Sequence, residues 1–415
     1  MQPGVANGRS KPDKGVPEIM RKSILSTPLF TVSLVLASCG GLGAGDSTAQ
    51  EPVPLSAGEP VALEDGAPFA VTSHGTFAEP WAIAEEPGTG KFLITEKAGT
   101  AKLFNPADGT VLEVTSGLPE VAYGGQGGLG DVAFAPDYAD SGTVYLSWAK
   151  ADEGAARRAA LGRGKLVCDT DSCAIEGFTQ IWQQSIPIES NGHFSHKIAF
   201  SPDGQHLFLS SGDRQQQDPA QDRSNNLGAV LRLNLDGTPA AGNPFADEGS
   251  PTDQIWTYGQ RNILGLKFDS AGNLWELEHG PRGGDELNLI ARGANYGWPT
   301  RSNGVNYSGD DIPDHTADDG FTKPALFWTP VIAPGDMIVY SGDMFADWQD
   351  QILIANLGTT SIARIALDPA NASATEEARY AFPERLRDIV EASDGAIWVI
   401  EDGDNGRLLR LTPAP

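Results

Sequence analysis

A unit of two or three short strands recurs along this 415-residue chain, and the recurrence restricts the possible folds more than any other feature. In each copy an apolar strand leads into a turn of Pro, Asp, Ser, Ala or Gly and then into a strand of alternating polarity. The six copies begin at Trp81, Asp131, Lys197, Leu266, Met337 and Ile389. Because one unit cannot bury both of its faces, the copies are expected to close into a ring. This predicts an all-β fold, a six-bladed β-propeller of four-stranded antiparallel blades, with an open β-sandwich as the alternative.

The N-terminal part of the sequence has the layout of a secretory signal. From Met20, two basic residues precede an apolar run that ends in Leu36-Ala37-Ser38-Cys39. This ending resembles the bacterial lipoprotein signal, in which the cysteine is lipidated; a plain signal peptide with a chance cysteine is the alternative. We therefore expect a signal segment over residues 1–39 with Met20 as an alternative start, a flexible tether over 40–65, and the propeller catalytic domain over 66–415.

Charge and cysteine content fit an exported globular protein. The 55 acidic and 29 basic residues give a formal net charge of −26, so a nucleic-acid partner would be repelled. Export implies the periplasm or cell envelope, with membrane contact only through a lipid anchor on Cys39. In an oxidising compartment the remaining cysteines, Cys168 and Cys173, are expected to form a local disulfide.

The tripeptide Asn191-Gly192-His193 lies just before a predicted inner strand and offers a candidate general base. Imidazole is the side chain that titrates near neutrality without perturbation. A loop histidine with only a structural role is the alternative, and His196 is a competitor for the role of base. Strand alternation places His193, Ser195 and Lys197 on one side and His196 on the other, which leaves open the side that faces the channel.

Arginines at predicted strand entrances suggest an anionic ligand. Arg261 and Asn262 precede one inner strand, while Arg385 and Arg387 are two residues apart and so lie on the same side of another. Guanidinium groups suit carboxylates, so these arginines together would form a receptor for a poly-acid, which is unexpected in so acidic a protein. Gln126 lies in a glycine cluster, where a ligand can approach the backbone closely.

The turn HGPRGGDE, residues 279–286, is a candidate Ca²⁺ site. Its Gly and Pro residues leave backbone carbonyl groups free to point away from the sheet, and Asp285 and Glu286 supply carboxylate oxygens. Ca²⁺ takes about 6–8 oxygen ligands of these kinds. Tyr296, in the NYGWP sequence that follows, could add another. An acidic turn solvated by water is the alternative.

Five stretches in one order carry a resemblance to a known family: SNGHFSHKIAFSPDG, LGAVLRLNLDGTPAAGNPF, YGQRNILGLKFDSAGNLWELEHGPRGGDELNLI, GANYGWP and RLRDIVEASDG. Together they resemble the pyrroloquinoline-quinone-dependent glucose/sorbosone dehydrogenases of the soluble aldose sugar dehydrogenase type, from about Phe69 to Thr412. The resemblance implies a six-bladed propeller that holds the quinone on Ca²⁺ at the channel mouth. It also implies an oxidoreductase that converts the anomeric C1 hydroxyl of aldose sugars to lactones by hydride transfer and passes the electrons to an unknown acceptor.

The same resemblance assigns roles to residues. His193 stands where the family has its general base. Gly280 and Pro281 match the carbonyl groups that hold the cofactor's Ca²⁺, and Glu286 and Tyr296 match ligands of a second, structural Ca²⁺. The implied cofactor contacts are Gln126, Arg261, Asn262, Ala333, Pro334, Gly335, Arg385 and Arg387.

Two departures from the family pattern concern the cofactor. Gln260 stands where His often precedes the Arg-Asn pair, and Gly358 stands where many members have Lys, with Thr359 or Thr360 as alternative hydrogen-bonding residues. Two other function classes stay open. One is a Ca²⁺-dependent propeller lactonase or esterase, which would not need the arginines; the other is a non-catalytic carbohydrate-binding propeller.

Overall fold

The computed structural model describes residues 58–64 and 66–415, and strands dominate them. The strands of the first half are β1 (Glu59–Val61), β2 (Phe69–Phe77), β3 (Pro80–Glu85), β4 (Phe92–Glu96), β5 (Thr100–Phe104), β6 (Val111–Ser116), β7 (Leu129–Phe134), β8 (Thr143–Ala151), β9 (Arg157–Cys168), β10 (Cys173–Gln183), β11 (Ser195–Phe200), β12 (His206–Ser211), β13 (Ala229–Asn234) and β14 (Ile255–Tyr258). Those of the second half are β15 (Ile263–Phe268), β16 (Leu274–Glu278), β17 (Arg282–Gly283), β18 (Asp285–Leu289), β19 (Gly304–Val305), β20 (Leu326–Trp328), β21 (Pro334–Val339), β22 (Ile352–Asn356), β23 (Ser361–Asp368), β24 (Ser373–Ala381), β25 (Leu386–Glu391), β26 (Ile397–Glu401) and β27 (Gly406–Pro413).

Helical elements are short and lie in the connections. They are α1 (Tyr138–Ser141) and the 3₁₀ turns Asp218–Gln221, Ala246–Glu248, Thr252–Gln254, Ala346–Trp348 and Pro369–Asn371. Within the described ranges, no helix has the length and apolarity that crossing a membrane requires. The all-β prediction is therefore confirmed.

The strands pair into sheets that follow the sequence repeats. Three sheets have four strands, in the orders β11-β12-β13-β14, β15-β16-β18-β20 and β21-β22-β23-β24. The units β3–β6 and β7–β10 are also sequential, but β6 pairs with β10 in parallel and joins them into one eight-stranded sheet. Strands β17 and β19 form a separate two-stranded ribbon. The prediction of four-stranded sheets thus describes the repeating unit, but it does not include the pairing of β6 with β10 that joins two units.

The first strand of each unit lies against the first strands of its neighbours. These strands, which we call the axial strands, are β3, β7, β11, β15, β21 and β25. Each contacts the next in this order, and β25 contacts β3, so the contacts run full circle. The N-terminal ends of the axial strands lie together at one end of this circle, which we call the mouth.

The two ends of the described chain share one sheet. Its order is β1-β2-β27-β26-β25, with β2 paired antiparallel to β27. The structure therefore has a strand at Glu59–Val61, inside the range expected to be a tether. The signal segment with Cys39 and residues 40–57 and 65 of that tether lie outside the described residues, so export and the lipid anchor remain predictions.

Cys168 and Cys173 form the expected disulfide, with an S–S distance of 2.04 Å, at the end of the β9–β10 hairpin. The core itself lies between adjacent sheets. For example, Trp275 and Leu277 of one sheet pack against Met337 and Ile354 of the next, and all four side chains are fully buried. Stability therefore depends on each sheet having neighbours on both of its faces.

Leu409 provides a test of the sheet that joins the two chain ends. It is fully buried in β27, between Ser73 of β2 and Val399 of β26. We expect Leu409→Ala to lower the free energy of unfolding in urea by about 2–5 kcal/mol, because the neighbours cannot fill the cavity. The control Thr412→Ala, at a partly exposed position of the same strand, should stay within about 0.5 kcal/mol of the parent. Equal losses in the two variants would contradict this account.

Candidate active site

The mouth contains a cavity of about 170 Å³ to which every axial strand or the loop just before it contributes. Five of the predicted cofactor contacts line it, and these are Gln126, Asn262, Ala333, Arg385 and Arg387. Trp81 of β3 and Ser195 of β11 also line it. Of the other predicted site residues, the cavity wall does not include His193, Arg261, Pro334 or Gly335. The fold therefore brings together residues that are far apart in sequence and that the motif analysis grouped as one site.

His193 is paired with an acid that the sequence analysis did not single out. Its Nδ1 lies 2.6 Å from Oδ1 of Asp213, and Oδ2 of Asp213 accepts a hydrogen bond of 2.8 Å from Nε1 of Trp298. His193 is 7% exposed and Asp213 is completely buried. The carboxylate thus holds one ring nitrogen and leaves Nε2 as the atom that can accept a proton.

The electrostatics of this pair favour a neutral imidazole beside an ionised carboxylate. Burial lowers the pKa of His193, and the hydrogen bond to Asp213 opposes that decrease. Burial alone would raise the pKa of Asp213, but the hydrogen bond to His193 and the charge of Arg261 hold it below its ordinary value. Near neutrality His193 is therefore in the form that a general base requires.

The backbone around His193 departs from regular strand geometry. His193, Ser195 and His196 have positive φ angles of 50°, 57° and 59°, and the pairing of β11 with β12 shifts register between Ser195 and Ile198. The alternation predicted from the sequence is therefore wrong here, because Ser195 and His196 line the same cavity. Nδ1 of His196 lies 2.7 Å from Oγ of Ser147, and burial lowers the pKa of His196 to about 3, which makes it a weak base.

Gln126 fastens the glycine-rich turn to the turn that carries His193. Its side-chain Oε1 accepts a hydrogen bond of 2.6 Å from the backbone N–H of His193. Its backbone N–H donates to the backbone carbonyl of Asn191 at 2.7 Å. Gly125, with a φ of 60°, comes so close that a Cβ there would lie 2.6 Å from the carbonyl oxygen of Asn191. The glycine cluster is thus needed for close approach of two loops.

Arg261 does not line the mouth cavity but lines a smaller one with His279 and Gly280, and it holds the 279–286 turn. Its Nη1 donates to the carbonyl oxygens of His279 at 2.9 Å and of Gly280 at 2.7 Å. Pro281, which follows, is buried. Since a carbonyl oxygen has two lone pairs, the Gly280 carbonyl keeps one for a cation.

Arg385 and Arg387 point to the same side of β25, as their spacing predicts. Asp402 binds both, with Oδ2 2.8 Å from Nε of Arg385 and Oδ1 2.6 Å from Nη2 of Arg387. The guanidinium of Arg387 lies over the ring of Trp81 at 4.4 Å. One carboxylate against two guanidinium groups leaves a net positive charge beside the cavity.

Asp285, which the sequence suggested as a carboxylate ligand, acts as a clamp on the backbone. Its Oδ1 accepts from the N–H of Gly280 at 2.8 Å, and its Oδ2 accepts from the N–H groups of Ile332 at 2.8 Å and Ala333 at 2.7 Å. Burial raises the pKa of Asp285 to about 6, against the effect of these bonds. The clamp joins the 279–286 turn to the Ala333 loop.

Of the predicted cofactor contacts Ala333, Pro334 and Gly335, only Ala333 lines the mouth cavity, and the other two are the first residues of β21. The carbonyl oxygen of Pro334 lies 2.6 Å from Nε2 of His279. A Cβ on Gly335 would lie 2.4 Å from the carbonyl oxygen of Arg387, so only glycine allows this contact between β21 and β25. The loop thus positions Arg387 through the backbone.

Three buried glutamates lie behind the 279–286 turn. Glu278 and Glu286 are opposite each other on β16 and β18, and Glu276 is opposite Asn288. Burial and mutual repulsion raise the pKa values of Glu276 and Glu286, and burial raises that of Glu278 to about 8. Oε1 of Glu276 and Oδ1 of Asn288 are buried without a hydrogen-bond donor. Oxygen acceptors that lack donors suit a hard cation such as Ca²⁺.

Glu286 and Tyr296, the predicted ligands of a structural Ca²⁺, line one small cavity with Glu278 and Gly280. The hydroxyl of Tyr296 donates to the carbonyl of Leu289 at 2.7 Å and accepts from the N–H of Ala291 at 3.0 Å, so its backbone carbonyl is the atom left for a cation. Among the described residues, no three or more His, Cys, Asp or Glu side chains surround a common metal position. The side chains and carbonyl groups here are nevertheless oxygen donors of the kind that Ca²⁺ takes.

The two departures from the family pattern have structural reasons. A Cβ on Gly358 would lie 2.7 Å from the carbonyl oxygen of Ile332, so a lysine does not fit this backbone, and the hydroxyl of Thr359 is engaged with Oγ of Ser361 at 2.8 Å. Gln260 is fully buried and donates to Oγ1 of Thr257 at 2.7 Å. Neither Gly358 nor Gln260 lines the mouth cavity.

Sequence reasoning missed Asp213, Trp298, His279 and Trp81. Asp213 lies in the SGDR stretch, which reads as a solvated loop, although it follows the strand that pairs with the His193 strand. That position after the partner strand was the available signal. Trp298 and His279 lie within motifs already singled out, and only their contacts assign them to the site.

Comparison with known proteins finds similar sequences along most of the chain. The profile described as glucose/sorbosone dehydrogenase matches residues 77–410. Aldose sugar dehydrogenase YliI of Escherichia coli strain K12 is 34% identical over 339 residues, which cover 80% of this chain and 90% of that protein.

Solved structures give the same result. The soluble aldose sugar dehydrogenase of Escherichia coli in the apo-form has a TM-score of 0.77 and 32% identity, with 83% of this chain and 100% of that chain covered. The PQQ-bound form of aldose sugar dehydrogenase from Streptomyces coelicolor has a TM-score of 0.66 and 27% identity, with 85% and 99% covered.

The buried glutamates lead to a prediction about Ca²⁺. We expect Ca²⁺ added to chelator-treated protein to raise the midpoint of thermal unfolding, with about 2.7 kcal/mol of stabilisation at 100 times Kd. Glu286→Gln should remove most of this effect, whereas Glu113→Gln, at an exposed position, should keep it. The same Ca²⁺ response in Glu286→Gln as in the parent would show that the cation binds elsewhere.

Proposed function

The chain belongs to the glucose/sorbosone dehydrogenase family, and from this premise we propose that it oxidises the anomeric C1 hydroxyl of aldose sugars to lactones with Ca²⁺-bound pyrroloquinoline quinone. The observation that carries the proposal is the His193–Asp213 pair, in which His193 directly precedes Phe194 and Ser195 of the wall of the cavity that Arg385 and Arg387 also line. The candidate base, His193, and the arginines that would bind an anionic cofactor are both at the mouth. An oxidation that removes a proton and a hydride from one carbon centre requires base and hydride acceptor to be close together.

We further propose that the units are the blades of a six-bladed propeller. The circle of contacts among the axial strands supports this arrangement. In such a ring, loops at one end of the axis converge, which accounts for a cavity lined from every unit.

The residues of the mouth fit the quinone and its cation. Gln126, Asn262, Arg385 and Arg387 would bind the cofactor, since guanidinium and amide groups suit its carboxylates and carbonyl groups. The carbonyl groups of Gly280 and Pro281 would hold Ca²⁺, with Arg261 and Asp285 orienting the turn. When bound, the quinone would supply the hydride acceptor and Ca²⁺ would act as a Lewis acid.

His193 would take the proton of the C1 hydroxyl at Nε2. Asp213 keeps the ring in one orientation and stabilises the charge that develops on it, and Trp298 in turn fixes Asp213. His196 is a poorer base, because burial lowers its pKa to about 3 and its Nδ1 is engaged with Ser147. Export to the periplasm or cell envelope is part of the proposal.

Reconstitution tests this function. Chelator-treated protein given Ca²⁺ and the quinone should reduce an artificial electron acceptor when aldoses are added, and should not do so when either component is left out. Failure of this assay together with lactone hydrolysis would favour a Ca²⁺-dependent lactonase or esterase. Failure of both assays, with sugar binding retained, would favour a carbohydrate-binding protein.

His193→Ala should keep the bound quinone's absorbance and lose most turnover, because proton removal by a positioned base contributes about 10²–10⁴-fold. His196→Ala is the matched comparison and should lose much less. A His193→Ala enzyme as active as the parent would remove His193 from the role of base.

Asp213→Asn tests the orientation of the base. We expect turnover to fall by about 10²–10⁴-fold, because the ring loses its fixed tautomer. Asp213 also raises the pKa of His193, so its loss should lower that pKa further. The acidic limb of the turnover–pH profile, where His193 gains a proton, should therefore move to lower pH. A shift to higher pH would contradict this account.

A further inference from the structure

A cluster of buried charges lies along the axial strands, further from the mouth than the proposed cofactor contacts. Nζ of Lys197 on β11 lies 3.0 Å from Oδ1 of Asp131 on β7, 2.8 Å from Oδ2 of Asp336 on β21 and 3.8 Å from Oδ1 of Asp388 on β25. All four side chains are more than nine-tenths buried. One ammonium group therefore bridges four axial strands.

The two remaining axial strands, β3 and β15, also contribute groups to these buried charges, which together we call the axial cluster. Oδ2 of Asp388 accepts a hydrogen bond of 2.9 Å from the N–H of Ile83 on β3, and Nζ of Lys267 on β15 lies 3.8 Å from Oδ2 of Asp336. Oδ2 of Asp131 accepts from the N–H of Ile198 at 2.7 Å, which fixes β7 against β11 a second time. Every axial strand thus has at least one group in the axial cluster.

Lys197 is the main group that offsets the buried negative charge of the axial cluster. Burial raises the pKa of Asp388 well above its ordinary value, whereas Lys197 and Lys267 hold the pKa of Asp336 below its own in spite of burial. The side chain of Lys267 is one-third exposed, whereas that of Lys197 is buried among the aspartates, so the ammonium group of Lys197 carries most of this compensation.

The axial cluster is close to the proposed cofactor and catalytic residues along the chain. Asp336 follows Gly335 directly, Asp388 follows Arg387 directly, and Lys197 is four residues after His193. A strand advances about 3.3 Å per residue, so these distances are short and a shift of one axial strand moves a mouth residue with it.

We propose that Lys197 is a positioning residue for the active site, because its ammonium group, through three aspartates, fixes the axial strands relative to one another and so sets the spacing of the groups at the mouth. The inference rests on the proposed function only in taking the mouth as the quinone site.

The substitution that tests this is Lys197→Met, which keeps the length of the side chain and removes the charge. The matched control is Lys102→Met, which removes a lysine whose Nζ lies 3.0 Å from Oε1 of the buried Glu96, within the sheet of β3 to β6 and without an ion pair to the axial cluster. Lys197→Arg restores the charge and should restore the function. A purely stabilising ion pair would make the two methionine variants alike.

The first measurement is hydrogen–deuterium exchange on the full-length protein without cofactor. Lys197→Met should raise exchange at the starts of β11, β21 and β25, while Lys102→Met should raise it only around β4, β5 and the start of β3. Unchanged exchange at these starts in a folded Lys197→Met protein would overturn the inference, whether or not the protein binds a quinone.

The second measurement is the Kd for pyrroloquinoline quinone in the presence of Ca²⁺, followed by kcat and KM with an aldose. Lys197→Met should raise Kd by about 10–100-fold, as loss of a supporting residue does at other sites, and lower kcat more than it raises KM. Lys197→Arg should return Kd to within about threefold of the parent value. The control Lys102→Met should also have a Kd within about threefold of the parent value.

Two further outcomes are distinguishable. If Lys197→Met does not fold, Asp336→Asn, which keeps an oxygen for Lys197, should change exchange and Kd in the same direction by less; parent values in that variant would overturn the inference. If the parent itself binds no quinone and oxidises no aldose, the proposed function fails, and the exchange experiment still decides the role of Lys197.

Discussion

The axial strands of the repeated sheets lie against one another, and their packing depends on the buried ion cluster of Lys197 with Asp131, Asp336 and Asp388. Buried carboxylates without a partner would strongly oppose folding, since breaking a buried ion pair costs about 3–5 kcal/mol. The same cluster accepts backbone N–H groups of β3 and β11. Charge neutralisation and strand register are therefore satisfied together at one place.

The chemistry at the mouth follows from this register. His193 lies just before β11 and Asp213 just after β12, the two strands of one hairpin, and Trp298 of the next unit donates to Asp213. The turn that would hold a cation is fastened separately, by Arg261 and Asp285. Arg261 also links the base to this turn, because its backbone carbonyl accepts a hydrogen bond of 2.8 Å from the N–H of Asp213 while its guanidinium group donates to the Gly280 carbonyl. The distance between base and cation site therefore depends on this link as well as on the axial strands.

Much of this could be predicted from sequence where the signal was local. The repeated polarity pattern gave the strand units, and the spacing of Arg385 and Arg387 gave their common side. Contacts set by tertiary pairing could not be predicted. The parallel pairing of β6 with β10 has no local signature, and the alternation at Ser195 and His196 fails because both adopt positive φ angles that a pattern of residue types does not reveal. An aspartate in a glycine-rich turn is expected both of a metal ligand and of a residue that binds backbone N–H groups, so the sequence could not distinguish the two roles of Asp285. The three backbone N–H groups that donate to it show that it clamps two segments of the chain together.

The sheet shared by both chain ends affects the order of folding. β2 pairs with β27, and the N–H of Ile83 donates a hydrogen bond to Oδ2 of Asp388, which lies 305 residues later in the sequence. During synthesis the middle sheets have all their own strands long before the terminal one does. The growing chain therefore carries an incomplete sheet with unpaired edges until β27 emerges, and such edges can pair with other chains. A ribosome that stops before β27 would thus release a protein that contains every residue of the mouth and yet lacks the strand that pairs with β2.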